Sequence, residues 1–145
     1  MTSIADFIKL PKKDFHSNLD LGMRYPSYVT WAGFYMPGFP EDGSPATKDL
    51  CEQVKEYTQL RTGTEDDVQK LLALSLTEAK ADNITELNGA INYNLLRACD
   101  TPEKFVYVIE ESAKKYSDNL KLNPFLAINA DEMNNDTVAL ASSLL

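Results

Sequence analysis

Residues 64–99 read TEDDVQKLLALSLTEAKADNITELNGAINYNLLRAC, and the fold turns on how this stretch is divided. Thr64 is placed to cap a helix, with Glu65, Asp66 and Asp67 in the first turn, where carboxylates meet the unpaired amides of a helix start. Thr64 and Asp67 have the spacing of a capping box. Val68, Leu71, Leu72, Leu76 and Ala79 lie on one helical face, which predicts a helix over 65–81. Asn83 then reads as the cap of a further helix, with Glu86 three residues on. Ile84, Leu87, Ile91, Leu95 and Cys99 follow at spacings of three and four, which predicts a helix over 84–99. Gly89 and Ala90 would let a neighbouring helix approach closely.

Working outward, Ser44-Pro45 is a cap followed by proline at the first helical position. Leu50, Val54, Tyr57 and Arg61 form an apolar-edged face with Cys51 beside it, and Gly63 closes a helix predicted over 45–61. Asp100 or Thr101 caps another that starts at Pro102. Phe105, Val106, Ile109, Ala113 and Tyr116 give it one apolar side over 102–117. Connections of two or three residues force such helices to be antiparallel or sharply crossed. Short helices are expected at 3–10, ended by Pro11, from Asn123-Pro124 to Ile128, and from Asn135 or Asp136 to Leu144. The expected fold class is therefore all-α: a compact bundle of four main antiparallel helices with short N- and C-terminal helices. Residues 1–145 are expected to form a single domain, with an arm and aromatic segment over 1–43, the helical bundle over 44–118 and a C-terminal helical segment over 119–145.

Residues 11–24 read as a polar, ordered arm. Residues 25–45 differ from the rest. Six of the chain's 14 aromatic side chains, Tyr25, Tyr28, Trp31, Phe34, Tyr35 and Phe39, fall there among prolines and glycines. Residues 28–36 fit a short helix or a strand, and the helix is preferred because no second strand is evident. The six aromatics are candidate partner-binding residues, since Tyr and Trp bring large apolar area with a polar tip. Covering and filling one end of the bundle is the competing role for them.

The chain has 145 residues, 43% hydrophobic and 25% charged, as expected for a globular domain. No apolar run approaches the ~20 residues of a membrane span. The N-terminus lacks the pattern of a secretion signal, so a cytoplasmic setting and no membrane partner are expected. The net charge of −8 lies mainly in the C-terminal two thirds. Direct nucleic-acid binding, which draws its affinity from Lys and Arg on phosphates, is excluded as an expectation.

Catalytic signatures are missing. The chain has no phosphate-binding glycine loop, no nucleophile elbow and no zinc-protease motif. His16, the single histidine, lies in KKDFHSNLD near Asp14, Ser17 and Asp20, and reads as a loop residue rather than a base. Cys51, Cys99 and His16 are too few to close a zinc site, and residues 129–136 lack the glycine and glutamate of a calcium loop. No catalytic residue, metal or cofactor is assigned. The function expected is a small acidic, non-enzymatic interaction module (an adaptor, inhibitor, immunity-type or assembly protein), binding another protein with a basic surface. One alternative is a homo-oligomeric structural subunit. The other is a small-molecule-binding protein or enzyme with an aromatic-walled pocket, in which Asp14, Asp20 or Glu41 could serve.

Overall fold

The computed structural model describes residues 6, 9–33, 48–115, 118–128 and 130–142. Along them run β1 (Lys12–Asn18), α1 (Tyr25–Ala32), α2 (Lys48–Arg61), α3 (Glu65–Ala81), β2 (Ile84–Asn92), a 3-10 turn (Tyr93–Ala98), α4 (Pro102–Lys115), β3 (Lys121–Ala127), a second 3-10 turn (Ala130–Glu132) and α5 (Asn135–Ser142). The three strands form one sheet in the order β1-β2-β3, and both pairs are parallel. The fold is α/β, and the all-α expectation is overturned.

Three segments account for the correction. Leu87 and Ile91 are four apart. Four is close to one helical turn, but it is also even, so the same two side chains share a face of a strand. In β2 they point with Gly89 toward the helices, and both are buried. Asn83 does not open a helix. It sits at φ 61°, the left-handed region that asparagine tolerates, and closes α3. Its amide N–H donates to the Lys80 carbonyl at 3.0 Å, and its own carbonyl accepts from the Lys12 amide at 2.9 Å, starting the sheet. Asn123-Pro124 is likewise within a strand. Pro124 of β3 pairs in register with Gly89 of β2, and β3 is an edge strand among the described residues, where a missing N–H is tolerated. The polar arm is β1. Its register against β2 takes three steps from Asp14 to Ser17 while β2 takes two from Leu87 to Gly89, a bulge that disguises the alternation.

Within the described residues the other helices form where they were expected: α2 ends at Arg61, and its predicted Ser44-Pro45 start, like the predicted ends at 117 and 144, lies outside the described residues. α3 runs over Glu65–Ala81 with Thr64 as its cap, the hydroxyl accepting from the Asp67 amide at 3.2 Å. α4 begins at Pro102. α1 spans most of the segment whose state was open. Of residues 3–10, Asp6, Lys9 and Leu10 are described, the first two helical.

The sheet order is sequential. Crossovers between parallel strands are right-handed, so a sequential order sends each one over the same face. Accordingly α3 packs on β2, α4 on β3, and α3 on α4. Val68, Leu71, Leu72, Leu76, Leu87, Ile91, Phe105, Val108 and Leu120 make the core between helices and sheet. The opposite face carries side chains that pair laterally. Lys13 and Lys121 flank Glu86 at 2.6 and 3.5 Å, and the Asn123 amide donates to Asn88 at 2.9 Å. Phe15, 72% exposed, belongs to β1, and Phe125 of β3 meets the His16 ring with centroids 5.5 Å apart.

Candidate functional site

Parallel strands end on one side, and the loops that leave their C-terminal ends are where such sheets place ligands. Here β1 ends at Asn18, β2 at Asn92 and β3 at Ala127. These three residues share the wall of a cavity of about 220 Å³, which is completed by Asp20, by Lys55, Thr58 and Gln59 of α2, and by Asn94 in the turn after β2. Other depressions lie elsewhere. A larger, shallower one next to Trp31, Arg61 and Lys70 lies among helices, away from the strand ends.

Asp20 is the chemical centre of the cavity. It is 8% exposed. Burial raises its carboxyl above the ordinary aspartate range, and hydrogen bonds from the backbone and from the Asn92 side chain oppose that rise. Its position is fixed by Leu19. The Leu19 amide donates to the Ala90 carbonyl at 2.8 Å, continuing the sheet past β1. The Leu19 carbonyl accepts from the Ser75 hydroxyl of α3 at 2.5 Å. The Leu19 side chain, 1% exposed, fills the space left by the missing side chain of Gly89. Tyr28 feels this carboxyl: its phenol is raised by burial and then by the Asp20 charge, so it stays a neutral hydroxyl. Tyr28 Oη and Thr58 Oγ1 both donate to the Val54 carbonyl, at 3.5 and 2.8 Å.

The predicted partner-binding residues are placed as follows. Tyr28 and Trp31 are buried on α1, with ring centroids 5.5 Å apart, and Tyr25 at its start is 37% exposed. Phe34, Tyr35 and Phe39 lie outside the described residues. None of the three described aromatics lines the cavity, whose polar wall is mainly side-chain amides and a hydroxyl. His16 is on β1 and not in a loop; its backbone amide donates to Asp14 Oδ1 at 3.0 Å. Asn18, Asn92 and Asn94 were not singled out from the sequence. A period of two through Leu87 and Ile91 would have put Asn92 at a strand end.

No family model matches the chain. It is 27% identical over 129 residues to a protein of Treponema pallidum (strain Nichols) provisionally named adenosine/adenine deaminase, a match covering 88% of this chain and 43% of that protein. Its fold superposes with a TM-score of 0.68 on the crystal structure of an amidohydrolase from Burkholderia ambifaria with bound zinc, at 15% identity, covering 99% of this chain and 43% of that one. The chain thus spans under half the length of each relative. These matches overturn the expectation of a non-enzymatic adaptor or inhibitor, because both relatives bear the names of enzymes. The ligand-binding or enzymatic alternative is the one they favour. No helix among the described residues is long and apolar enough to cross a membrane.

Zinc in the Burkholderia protein raises the question of whether these residues could hold it. Zinc centres take three or four His, Cys or carboxylate ligands. The whole chain has one His and two Cys. Among the described residues no three His, Cys, Asp or Glu side chains are grouped to hold a metal. His16 meets the Phe125 ring instead, the two planes tilted by 38°. The donor set does not fit, and no chemical step is derived through a metal.

Proposed function

We propose that the chain supplies the ligand-holding wall of a hydrolytic enzyme, and that the cavity at the strand ends takes a small nitrogen-rich ligand of the purine class. One observation carries this reading: a buried carboxyl, Asp20, lies in a cavity at the C-terminal ends of three parallel strands. A buried carboxylate costs stability, and such groups concentrate at functional sites. The surrounding amides of Asn18, Gln59, Asn92 and Asn94 each offer a donor and an acceptor. A heterocycle with ring acceptors and an exocyclic amine presents the complementary pattern. Leu21 and Leu95 supply apolar contact beside them. The deaminase name of the Treponema relative and the hydrolase name of the Burkholderia structure support the class. In hydrolytic deamination water is consumed and ammonia released. The part assigned to these residues is to bind and orient the ligand, Asp20 accepting a hydrogen bond from it. A cytoplasmic setting belongs to the same proposal, since the free and buried Cys99 suits a reducing compartment.

The test is calorimetry and thermal shift with adenine and adenosine, on the wild-type chain and on Asp20→Asn. Binding should raise the melting temperature with concentration. Loss of the charged acceptor should weaken affinity about tenfold, the value of one hydrogen bond to a charged group. Equal affinity in the variant, or no response to either compound at millimolar concentration, would overturn the reading.

A further inference from the structure

We infer that Glu78 is a positioning residue for the cavity: reaching across from α3, it caps α1 and ties down the far end of the loop that carries Asp20. The inference rests on the functional reading above for the ligand, but not for the tie itself.

The start of α1 does not cap itself. Its N-cap residue, Arg24, makes no side-chain capping bond, and no acid lies in the first turn. In a capping box, a glutamate at the third helical position reaches back to the N-cap amide. Here that position holds Ser27, and the carboxylate comes from another helix. Glu78 Oε2 accepts from the Arg24 amide, and Glu78 Oε1 accepts from the Ser27 hydroxyl. The negative charge also lies where the unpaired amides of a helix start favour it. The Arg24 guanidinium meets Asp82, one turn beyond Glu78.

Ser75, Glu78 and, just past the end of α3, Asp82 recur at spacings of three and four, which puts them on one face. They run beside the buried stripe of Leu72, Leu76 and Ala79. This polar stripe holds both ends of the segment 19–24. The Ser75 hydroxyl donates to the Leu19 carbonyl at 2.5 Å, and Glu78 and Asp82 hold Arg24. Asp20 lies between the two anchors. The sheet fixes where the loop leaves β1, and α3 fixes where it must arrive, so the path between them sets how the Asp20 carboxyl enters the cavity.

The experiment compares wild type, Glu78→Gln, Asp20→Asn and the double variant in the full chain. Glutamine keeps one acceptor oxygen and loses the second, with the charge. Well below the melting temperature, Glu78→Gln should bind adenine about tenfold more weakly, the worth of a well-aimed hydrogen bond to a charged group. Combined with Asp20→Asn it should cost little further affinity, while still lowering the melting temperature. A cap that served stability alone would leave adenine affinity unmoved. Without ligand, carbon-detected NMR should find the Asp20 midpoint at lower pH in Glu78→Gln, because a freed loop hydrates the carboxyl. Ser27→Ala removes one bond to Glu78 and no charge. It should move the midpoint the same way, and it carries the test should the glutamine chain fail to fold. A midpoint that moves in neither folded variant, or in Glu78→Gln alone, overturns the inference, as does an equal loss of affinity with and without Asp20→Asn. Failure of adenine to bind the wild-type chain sinks the functional reading and leaves the tie to be judged by the titration.

Discussion

Gly89→Ala tests how the sheet positions the cavity. Gly89 sits mid-strand in β2, on the face turned to the helices. A Cβ built there would lie 2.6 Å from Leu19 Cδ1, 2.8 Å from Leu19 Cγ and 3.1 Å from Leu122 Cδ1. A methyl end could swing away, but Cγ cannot move without the whole side chain, and Leu19 is 1% exposed with both backbone groups bonded. Two effects oppose each other. Alanine restricts the unfolded chain and gains about 0.4–1 kcal/mol. Overpacking a filled site costs about 1–3 kcal/mol. The overpacking wins, for a net loss of about 1–2 kcal/mol, which is roughly 3–6 °C in melting temperature for a domain of this size. Since Leu19 precedes Asp20, ligand affinity should fall as well. The assay is thermal and urea unfolding of the variant, of Leu19→Ala and of the double variant. Leu19→Ala alone should cost about 2–5 kcal/mol through the cavity it leaves. In the double variant the new methyl partly fills that cavity, so the combined loss should be smaller than the sum. Additive losses, or a Gly89→Ala chain as stable as wild type, would refute the contact as described.

Asp20→Asn should raise stability at neutral pH. Burial lifts the folded carboxyl above its unfolded value. Between the two values the folded state binds more protons, so stability falls as pH rises through that window and stays lower above it. The variant should melt above wild type at pH 7, and the gap should close as pH falls below about 4, the ordinary aspartate value. A gap that is absent or of opposite sign at pH 7 would contradict a desolvated carboxyl. Zinc uptake provides the remaining check. After dialysis against micromolar zinc, elemental analysis should find well under one zinc per chain, and one tightly held ion lost in His16→Ala would show that the donor set had been misjudged.

Where local chemistry specifies an element, the sequence was enough. Thr64 with three acids behind it, and Pro102 after a capping pair, place the starts of α3 and α4 where they form. The strands were illegible for separate reasons. In β2, apolar side chains four apart satisfy both periods, and Ile84 at a spacing of three tipped the choice toward a helix. In β1, the bulge at Phe15 and His16 breaks the alternation. In β3, Asn-Pro imitates a helix start. No strand could be inferred without the others, because parallel pairing joins residues some 35 to 70 apart in the chain. Asp20 was visible as one carboxylate among several. Its burial was not, since that depends on β2 lying beside β1. Asn92 had no signal while residues 84–99 stood as one helix.

The two ends of the sheet are built differently, and the difference bears on function. Toward the start of the strands, polar groups on the open face satisfy one another: Glu86 lies between two lysines, and Lys13, the first of its contacts, holds its carboxyl below the ordinary range. Such solvent-screened pairs contribute little to stability, and at this end no charged side chain is buried among the described residues. Toward the strand ends the balance reverses. Asp20 is buried, its carboxyl is disfavoured as a charge, and the bonds it receives only partly offset that cost. If stability alone had shaped this end, asparagine at position 20 would serve better and keep a hydrogen-bonding oxygen for Asn92. A carboxyl retained against its own cost, in a cavity at the C-terminal edge of parallel strands, fits selection for what it binds. The Asp20→Asn comparison separates the two: a variant that gains stability and loses ligand is the outcome this account requires.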